Sequence, residues 1–95
     1  MIYLMNKLVF NTTSRFDRSF EKLPSNIKKA FKAKIEIIKL DLFHPTLKTH
    51  RLKGNKKDYY AFSITYSYRV VFALESEKEV TLIDIGDHSI YKAGS

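Results

Sequence analysis

Two runs late in the sequence constrain the fold most: Tyr68-Arg69-Val70-Val71-Phe72-Ala73-Leu74 and Val80-Thr81-Leu82-Ile83-Asp84-Ile85. In the first, large apolar residues fall on every second position. Successive side chains of a strand point to opposite faces, so Tyr68, Val70, Phe72 and Leu74 line one face and Arg69, Val71, Ala73 and Glu75 the other. Burying the first set leaves Arg69 on the opposite face. The second run is more continuously apolar and reads as an inner strand. Ser76-Glu77-Lys78 joins the two as a hairpin, and Gly86 ends the second. His88 stands two residues after that glycine. An arginine on an open sheet face and a histidine just past a strand end can share one cleft.

The rest of the chain supplies partners for this hairpin. Lys7 to Asn11 reads as a short first strand with Leu8 and Phe10 on one side. Thr12, Thr13 and Ser14 offer helix caps, and Ser14-x-x-Asp17 resembles a capping box with Asp in place of Glu. Phe16, Phe20 and Leu23 make the apolar stripe of a short helix that Pro24 stops. A second helix is expected from Pro24 to Leu42, with Ile27, Phe31, Ile35, Ile38 and Leu42 inward and Lys28, Lys29, Lys32, Glu36 and Lys39 outward. His44-Pro45 ends it, because a residue before proline avoids the helical region. Thr49 to Lys53 reads as a short strand and Lys56-Lys57-Asp58 as a turn. Tyr59 to Tyr66 reads as a strand with Tyr60, Phe62, Ile64 and Tyr66 on one face. Ser67 leaves room only for a tight hairpin into Tyr68. One strand, two helices and then four strands predict an α+β fold: two N-terminal helices packed on one face of a small, mostly antiparallel β-sheet.

The 95 residues make one domain spanning 1–95, and 44% apolar content suffices for one core. There is no cysteine, which excludes a disulfide scaffold, a thiolate zinc site and a cysteine nucleophile and fits a cytoplasmic protein. The opening Met1-Ile2-Tyr3-Leu4-Met5 lacks the basic flank and cleavage site of a signal peptide. No apolar run approaches the roughly 20 residues that span a bilayer, so no membrane role is expected. The formal net charge of +7 favours an anionic partner. It is unevenly spread. Lys48, His50, Arg51, Lys53, Lys56 and Lys57 fall together without an acid, a candidate face for phosphates.

Several side chains can carry chemistry. His88 can exchange a proton near neutral pH or simply cap a terminal turn. Arg69, in mid-strand, needs either a carboxylate such as Asp84 or an anionic ligand. Tyr91 can stack on a base, bond a phosphate or pack the C-terminus down. Asp58, Asp84 and Asp87 lack the spacing of a carboxylate cage, and the histidines lack a ligand motif, so no metal site is expected. With three glycines in all there is no phosphate-cradling loop, and no cofactor is expected.

Taken in order, His50-Arg51-Leu52-Lys53-Gly54, Tyr60-x-Phe62-x-Ile64, Tyr68-Arg69-Val70-Val71-Phe72 and Asp84-Ile85-Gly86-x-His88-x-x-Tyr91 resemble the RelE/ParE superfamily of toxins from type II toxin–antitoxin systems, closest to its RelE-like mRNA interferases. The resemblance runs from the first strand to Tyr91. It implies two helices on a small antiparallel sheet, and a ribosome-dependent endoribonuclease that cuts mRNA without a metal, by attack of the RNA 2′-hydroxyl on the adjacent phosphate. Carried over, Arg69 becomes a phosphate stabiliser, Arg51 and Lys53 contacts to the RNA backbone, His88 the acid–base group and Tyr91 the terminal active-site tyrosine. Tyr91 follows the histidine by three residues, closer than in many relatives. The implied partners are a cognate acidic antitoxin, in a toxin–antitoxin hetero-oligomer, and mRNA on the ribosome. The ParE-like branch has the same fold but inhibits DNA gyrase, and a non-catalytic member of the fold is a third reading.

Overall fold

The computed structural model describes residues 8–52 and 59–87. Five strands and two helices follow in the order β1 (Val9–Thr12), α1 (Ser14–Glu21), α2 (Ser25–Leu40), a single 3₁₀ turn (Pro45–Leu47), β2 (His50–Arg51), β3 (Tyr59–Ser63), β4 (Arg69–Ser76) and β5 (Glu79–Gly86). The sheet order is β1-β5-β4-β3-β2. β2 to β5 pair antiparallel, while β1 runs parallel to β5 with Val9 opposite Glu79 and Thr12 opposite Leu82. The expected α+β architecture is present, and β5 lies between two strands as its apolar run predicts.

Alternation along β4 sorts the two faces as expected. Val70 and Phe72 are fully buried, and Tyr68 and Leu74 pack against the same core. Phe62, Val80, Leu82 and Ile85 join them from neighbouring strands, and Phe16, Ile38, Leu42 and Leu47 close the core from the helical side. The two helices are locked by three phenylalanines. Phe16, Phe20 and Phe31 stand with ring centroids 5.3–6.0 Å apart, a range in which tilted and edge-on rings attract. Lys28 lies over the Phe20 ring at 5.6 Å, so this lysine is partly sheltered where the stripe places it in water. The other sheet face is less open than expected. Ala61, Ser63, Val71 and Ala73 are buried there, and solvent reaches it at Tyr59, Arg69 and His50.

Element ends depart from the sequence expectations for identifiable reasons. The α1 cap is Thr13, not Ser14. Its Oγ1 accepts from the Phe16 N–H at 3.0 Å while its hydroxyl donates to the Ile83 carbonyl at 2.8 Å, so one side chain caps the helix and ties it to β5. α2 ends at Leu40, because Asp41 is already extended with φ −159°. Leu42 still reaches the core from beyond the helix, so the inward stripe outlasts the helix. His44 behaves as a boundary residue, its Nδ1 accepting from the Thr46 N–H at 3.2 Å. β3 stops at Ser63 rather than Tyr66, so a five-residue loop, 64–68, replaces the tight hairpin. Of the strand expected from Thr49 to Lys53, only His50 and Arg51 form β2, with Thr49 and Leu52 outside it; Lys53 and the turn at Lys56-Lys57-Asp58 lie outside the described residues. Among the described residues, no helix is long and apolar enough to cross a membrane.

β5 carries one irregularity that holds the helices. Val71 pairs with Asp84 and Phe72 with Leu82, so Ile83 is an extra residue on β5. Asp84 beside it is 7% exposed. Its carboxylate accepts from Ser19 Oγ at 2.7 Å, from Arg15 Nε at 2.9 Å and from its neighbour's Ile85 N–H at 2.8 Å. Asp84→Ala leaves the buried Ile85 N–H and the part-buried Ser19 hydroxyl without this acceptor and is expected to cost about 1.5–3 kcal/mol. Breaking the exposed Lys39–Glu36 pair by Glu36→Ala is expected to cost less than about 0.5 kcal/mol. Urea unfolding of both variants beside the parent checks the contrast; equal midpoints for Asp84→Ala and the parent would contradict it.

Candidate functional site

Of the candidate residues, the described part of the structure places Arg69, His50 and Arg51. Arg69 opens β4 with Ser63 of β3 on one side and Gly86 of β5 on the other. Asp87 follows Gly86 and is exposed, and His88 is the next residue in the sequence. His88 and Tyr91, like Lys53, Lys56 and Lys57, lie outside the described residues.

Arg69 does not take Asp84 as a partner, because that carboxylate is already held by Arg15 and Ser19. Instead its Nη1 donates to three carbonyls of the preceding loop: Thr65 at 3.0 Å, Tyr66 at 2.8 Å and Tyr68 at 3.2 Å. One nitrogen has two hydrogens, so at least one is shared between acceptors. The loop is closed further by Ile64 N–H to Tyr68 O at 2.9 Å and Tyr68 N–H to Thr65 Oγ1 at 3.3 Å, with Ile64 itself buried. The arginine is therefore a clamp as well as a charge. Its Nε and Nη2 make no bond to the described residues. That edge of the guanidinium has the planar fork geometry that matches two phosphate oxygens. A clamp at Nη1 fixes the group in one orientation, which removes much of the rotamer cost of meeting an anion.

The basic segment divides between the faces. His50 pairs with Ala61, which pairs with Val71, so His50 shares the Arg69 face, with the two backbones about 12 Å apart from strand spacing and rise. Arg51 pairs with Tyr60 and so belongs to the helix-covered side. His50 is exposed, and its Nδ1 lies 3.0 Å from the Lys48 carbonyl. A carbonyl can only accept, so Nδ1 carries the hydrogen and, in the neutral ring, Nε2 carries the lone pair. Lys48 is the one non-glycine residue with positive φ among the described residues, at 53°, and this left-handed turn sets His50 on the sheet edge.

Tyr66 is the residue that alternation misplaces. It continues the Tyr60, Phe62, Ile64 pattern, yet it sits on the clamped loop, 89% exposed. Its one sequence signal is the run of small and polar neighbours, Thr65 and Ser67, before the arginine. Of the carboxylates considered for a metal, Asp58 lies outside the described residues and Asp84 is committed to Arg15. Among the described residues, no three His, Asp or Glu side chains gather.

Comparisons with known proteins agree with this architecture. The chain is similar in fold to YafQ in the E. coli DinJ–YafQ toxin–antitoxin complex, with a TM-score of 0.73 at 12% identity over 88% of this chain and 96% of that one. It is similar to a chain of the RelB–RelE antitoxin–toxin complex of Methanococcus jannaschii, with a TM-score of 0.71 at 18% identity over 90% and 99%. It is also similar to the YoeB/ParE toxin of Agrobacterium tumefaciens, with a TM-score of 0.69 at 20% identity over 83% and 96%. No curated protein sequence matches the chain. The family description "ParE toxin of type II toxin-antitoxin system, parDE" matches residues 11–90. That match runs from within β1 to two residues past His88, and the chain belongs to this family of type II toxins, within the RelE/ParE superfamily.

Proposed function

We propose that the chain is a cytoplasmic endoribonuclease toxin that cuts mRNA on the ribosome by 2′-hydroxyl attack on the adjacent phosphate. The observation that carries this reading is the pre-set guanidinium of Arg69, flanked by Gly86 at the end of β5, with His88 two residues further along the sequence. The reaction moves two protons: one leaves the attacking 2′-hydroxyl and one reaches the departing 5′-oxygen. His88 protonates the leaving oxygen. Arg69 cannot transfer a proton at cell pH and instead stabilises the extra negative charge of the phosphorane. Tyr91 completes the site, and His50, Lys53, Lys56 and Lys57 hold the RNA backbone, with Arg51 on the other face of the edge strand β2 as a further backbone contact. The likeness to RelE and YafQ folds supports the reading, as does the +7 charge.

His88→Ala is expected to lower the single-turnover rate about 10²–10⁴-fold. Arg69→Ala, which loses both the charge and the loop clamp, is expected to lower it by at least about 10²–10³-fold. A general acid works protonated, so the parent rate should fall as pH rises through the histidine pKa. Arg69→Ala keeps that alkaline limb and His88→Ala loses it. Cutting at the parental rate by His88→Ala removes the histidine from the mechanism. A ribosome-free reaction with a model RNA separates the protein's own metal need from that of the ribosome. Activity there is expected to survive EDTA, and loss restored by Mg²⁺ would bring Asp87 back as a ligand candidate.

The family match favours a second reading, inhibition of DNA gyrase, since ParE-like members act that way. Inducing the chain in growing bacteria, then mapping mRNA 5′ ends beside a supercoiling assay, separates the two. A His88→Ala chain that stays fully toxic while no mRNA is cut supports gyrase.

Either reading includes a cognate antitoxin. The neighbours with RelB and DinJ are toxin–antitoxin complexes, and the basic surface here calls for an acidic protein with an amphipathic helix. Co-expression with the adjacent reading frame is expected to yield a co-purifying hetero-oligomer and to relieve toxicity. Failure of every neighbouring small protein to do so removes this partner.

A further inference from the structure

The loop 64–68 holds an aromatic ring in water on a backbone that cannot move freely. Tyr66 is 89% exposed, and its own carbonyl is bonded to Arg69 Nη1 at 2.8 Å. Four further hydrogen bonds and the buried Ile64 hold the same five residues. An exposed tyrosine ring gains nothing for the fold, and here the loop is fastened through its backbone without using the ring. The flanking Thr65 and Ser67 are not apolar, so Tyr66 is no part of an apolar strip that would receive a partner helix. Such a strip needs several anchors at helical spacing. The exposed apolar side chains Leu40 and Phe43 belong instead to the end of α2. What the Tyr66 carbonyl meets is a guanidinium whose Nε and Nη2 make no bond to the described residues. A π-face next to a fixed cation is the pairing with which proteins hold one nucleotide of a single strand, the base on the ring and the phosphate on the cation.

We propose that Tyr66 is a base-stacking platform for single-stranded RNA and that Arg69 is its positioning residue, so that the loop presents ring and guanidinium to one nucleotide as a unit. This deepens the ribonuclease reading and rests on RNA being the ligand. It also gives the clamp a purpose. Stacking on a mobile loop forfeits affinity to ordering, and three bonds to one nitrogen remove that cost before RNA arrives.

The test uses the full chain and a 2′-O-methyl single strand of about ten nucleotides, which cannot be cut by its own 2′-oxygen and lies within the usual site size of such grooves. The chain has no tryptophan, so Tyr66→Trp introduces a single reporter. Tyr66→Phe and Tyr66→Trp are expected to bind like the parent, and Tyr66→Ala about 5- to 150-fold more weakly, with thermal melting equal among the four. Emission of the Tyr66→Trp variant should be quenched at saturation by the normal strand and not by one abasic throughout. Adding Arg69→Lys to Tyr66→Trp should speed the reporter's local anisotropy decay, the readout of a loosened loop. Equal affinity of parent and Tyr66→Ala overturns the proposal, as does unmoved emission at saturation or a parent that binds no RNA. A reporter that answers a co-purifying protein and never RNA assigns the ring to a protein contact and overturns it too. A parent that binds the strand through Tyr66 yet cuts no RNA leaves the platform standing and removes the ribonuclease reading.

Discussion

The fold depends on how one buried carboxylate is neutralised. Removing a carboxylate from water costs several kcal/mol unless charge and hydrogen bonds are returned to it. Asp84 receives both, from Arg15, from Ser19 and from the backbone N–H beside it. Two of those donors lie on α1, and the β5 bulge that includes Asp84 also supplies the Ile83 carbonyl that takes the Thr13 hydroxyl. The cap of α1, its second turn and the end of β1 are thus fastened around one irregularity in one strand. An apolar contact there would hold the helix against the sheet with freedom to slide. Directional bonds to a single side chain fix its register.

The same strand pairs with the one that Arg69 opens. Beyond Asp84, β5 runs through Ile85, which is buried, to Gly86, which pairs with Arg69. β5 therefore ends, two residues before His88 in the sequence, at a point that the core has already made rigid. On the neighbouring strand Arg69 is fixed from the opposite direction, through carbonyls. A glycine between the two brings no side chain to the space beside Arg69. Chemistry built on strand ends of this kind depends on positions held by the core rather than on loop fluctuation.

Much of this was legible in the residues, for reasons specific to each element. β4 was legible because Tyr68, Val70, Phe72 and Leu74 alternate with shorter or charged residues, and only one assignment of faces buries them. β5 was legible as an inner strand because its apolar run is continuous. The phenylalanine stripe of α1 met that of α2 as their spacing required. Alternation failed at Tyr66, because a period of two persists in the sequence after the hydrogen-bond ladder has stopped. What stopped it was an arginine binding carbonyls, and sequence does not distinguish an arginine that meets an acid from one that meets a backbone. The partner of Asp84 was equally hidden, since Arg15 lies 69 residues away and no local pattern joins them. α2 was read two residues too long because Leu42 is buried after the helix has ended, so burial outran secondary structure. For the site itself, Arg69 was expected in mid-strand but opens β4, because the ladder stops at the clamped loop before it, and the division of His50 and Arg51 between faces follows only once the register of β2 is known.

The parallel pairing of β1 with β5 has a kinetic meaning. Val9 meets Glu79 across 70 residues, whereas β3, β4 and β5 meet through turns of a few residues. Closing the longer loop costs more chain entropy, and pairings of high sequence separation slow folding. During synthesis β1 emerges early and has no strand to join until β5 has been made. Until then its apolar residues and the α1 cap lack their sheet partners, while the meander of β3 and β4 can already form. The last pairing to become available is thus the one that seals the helical layer onto β5. The nascent chain acquires this complete fold only after β5 has been made.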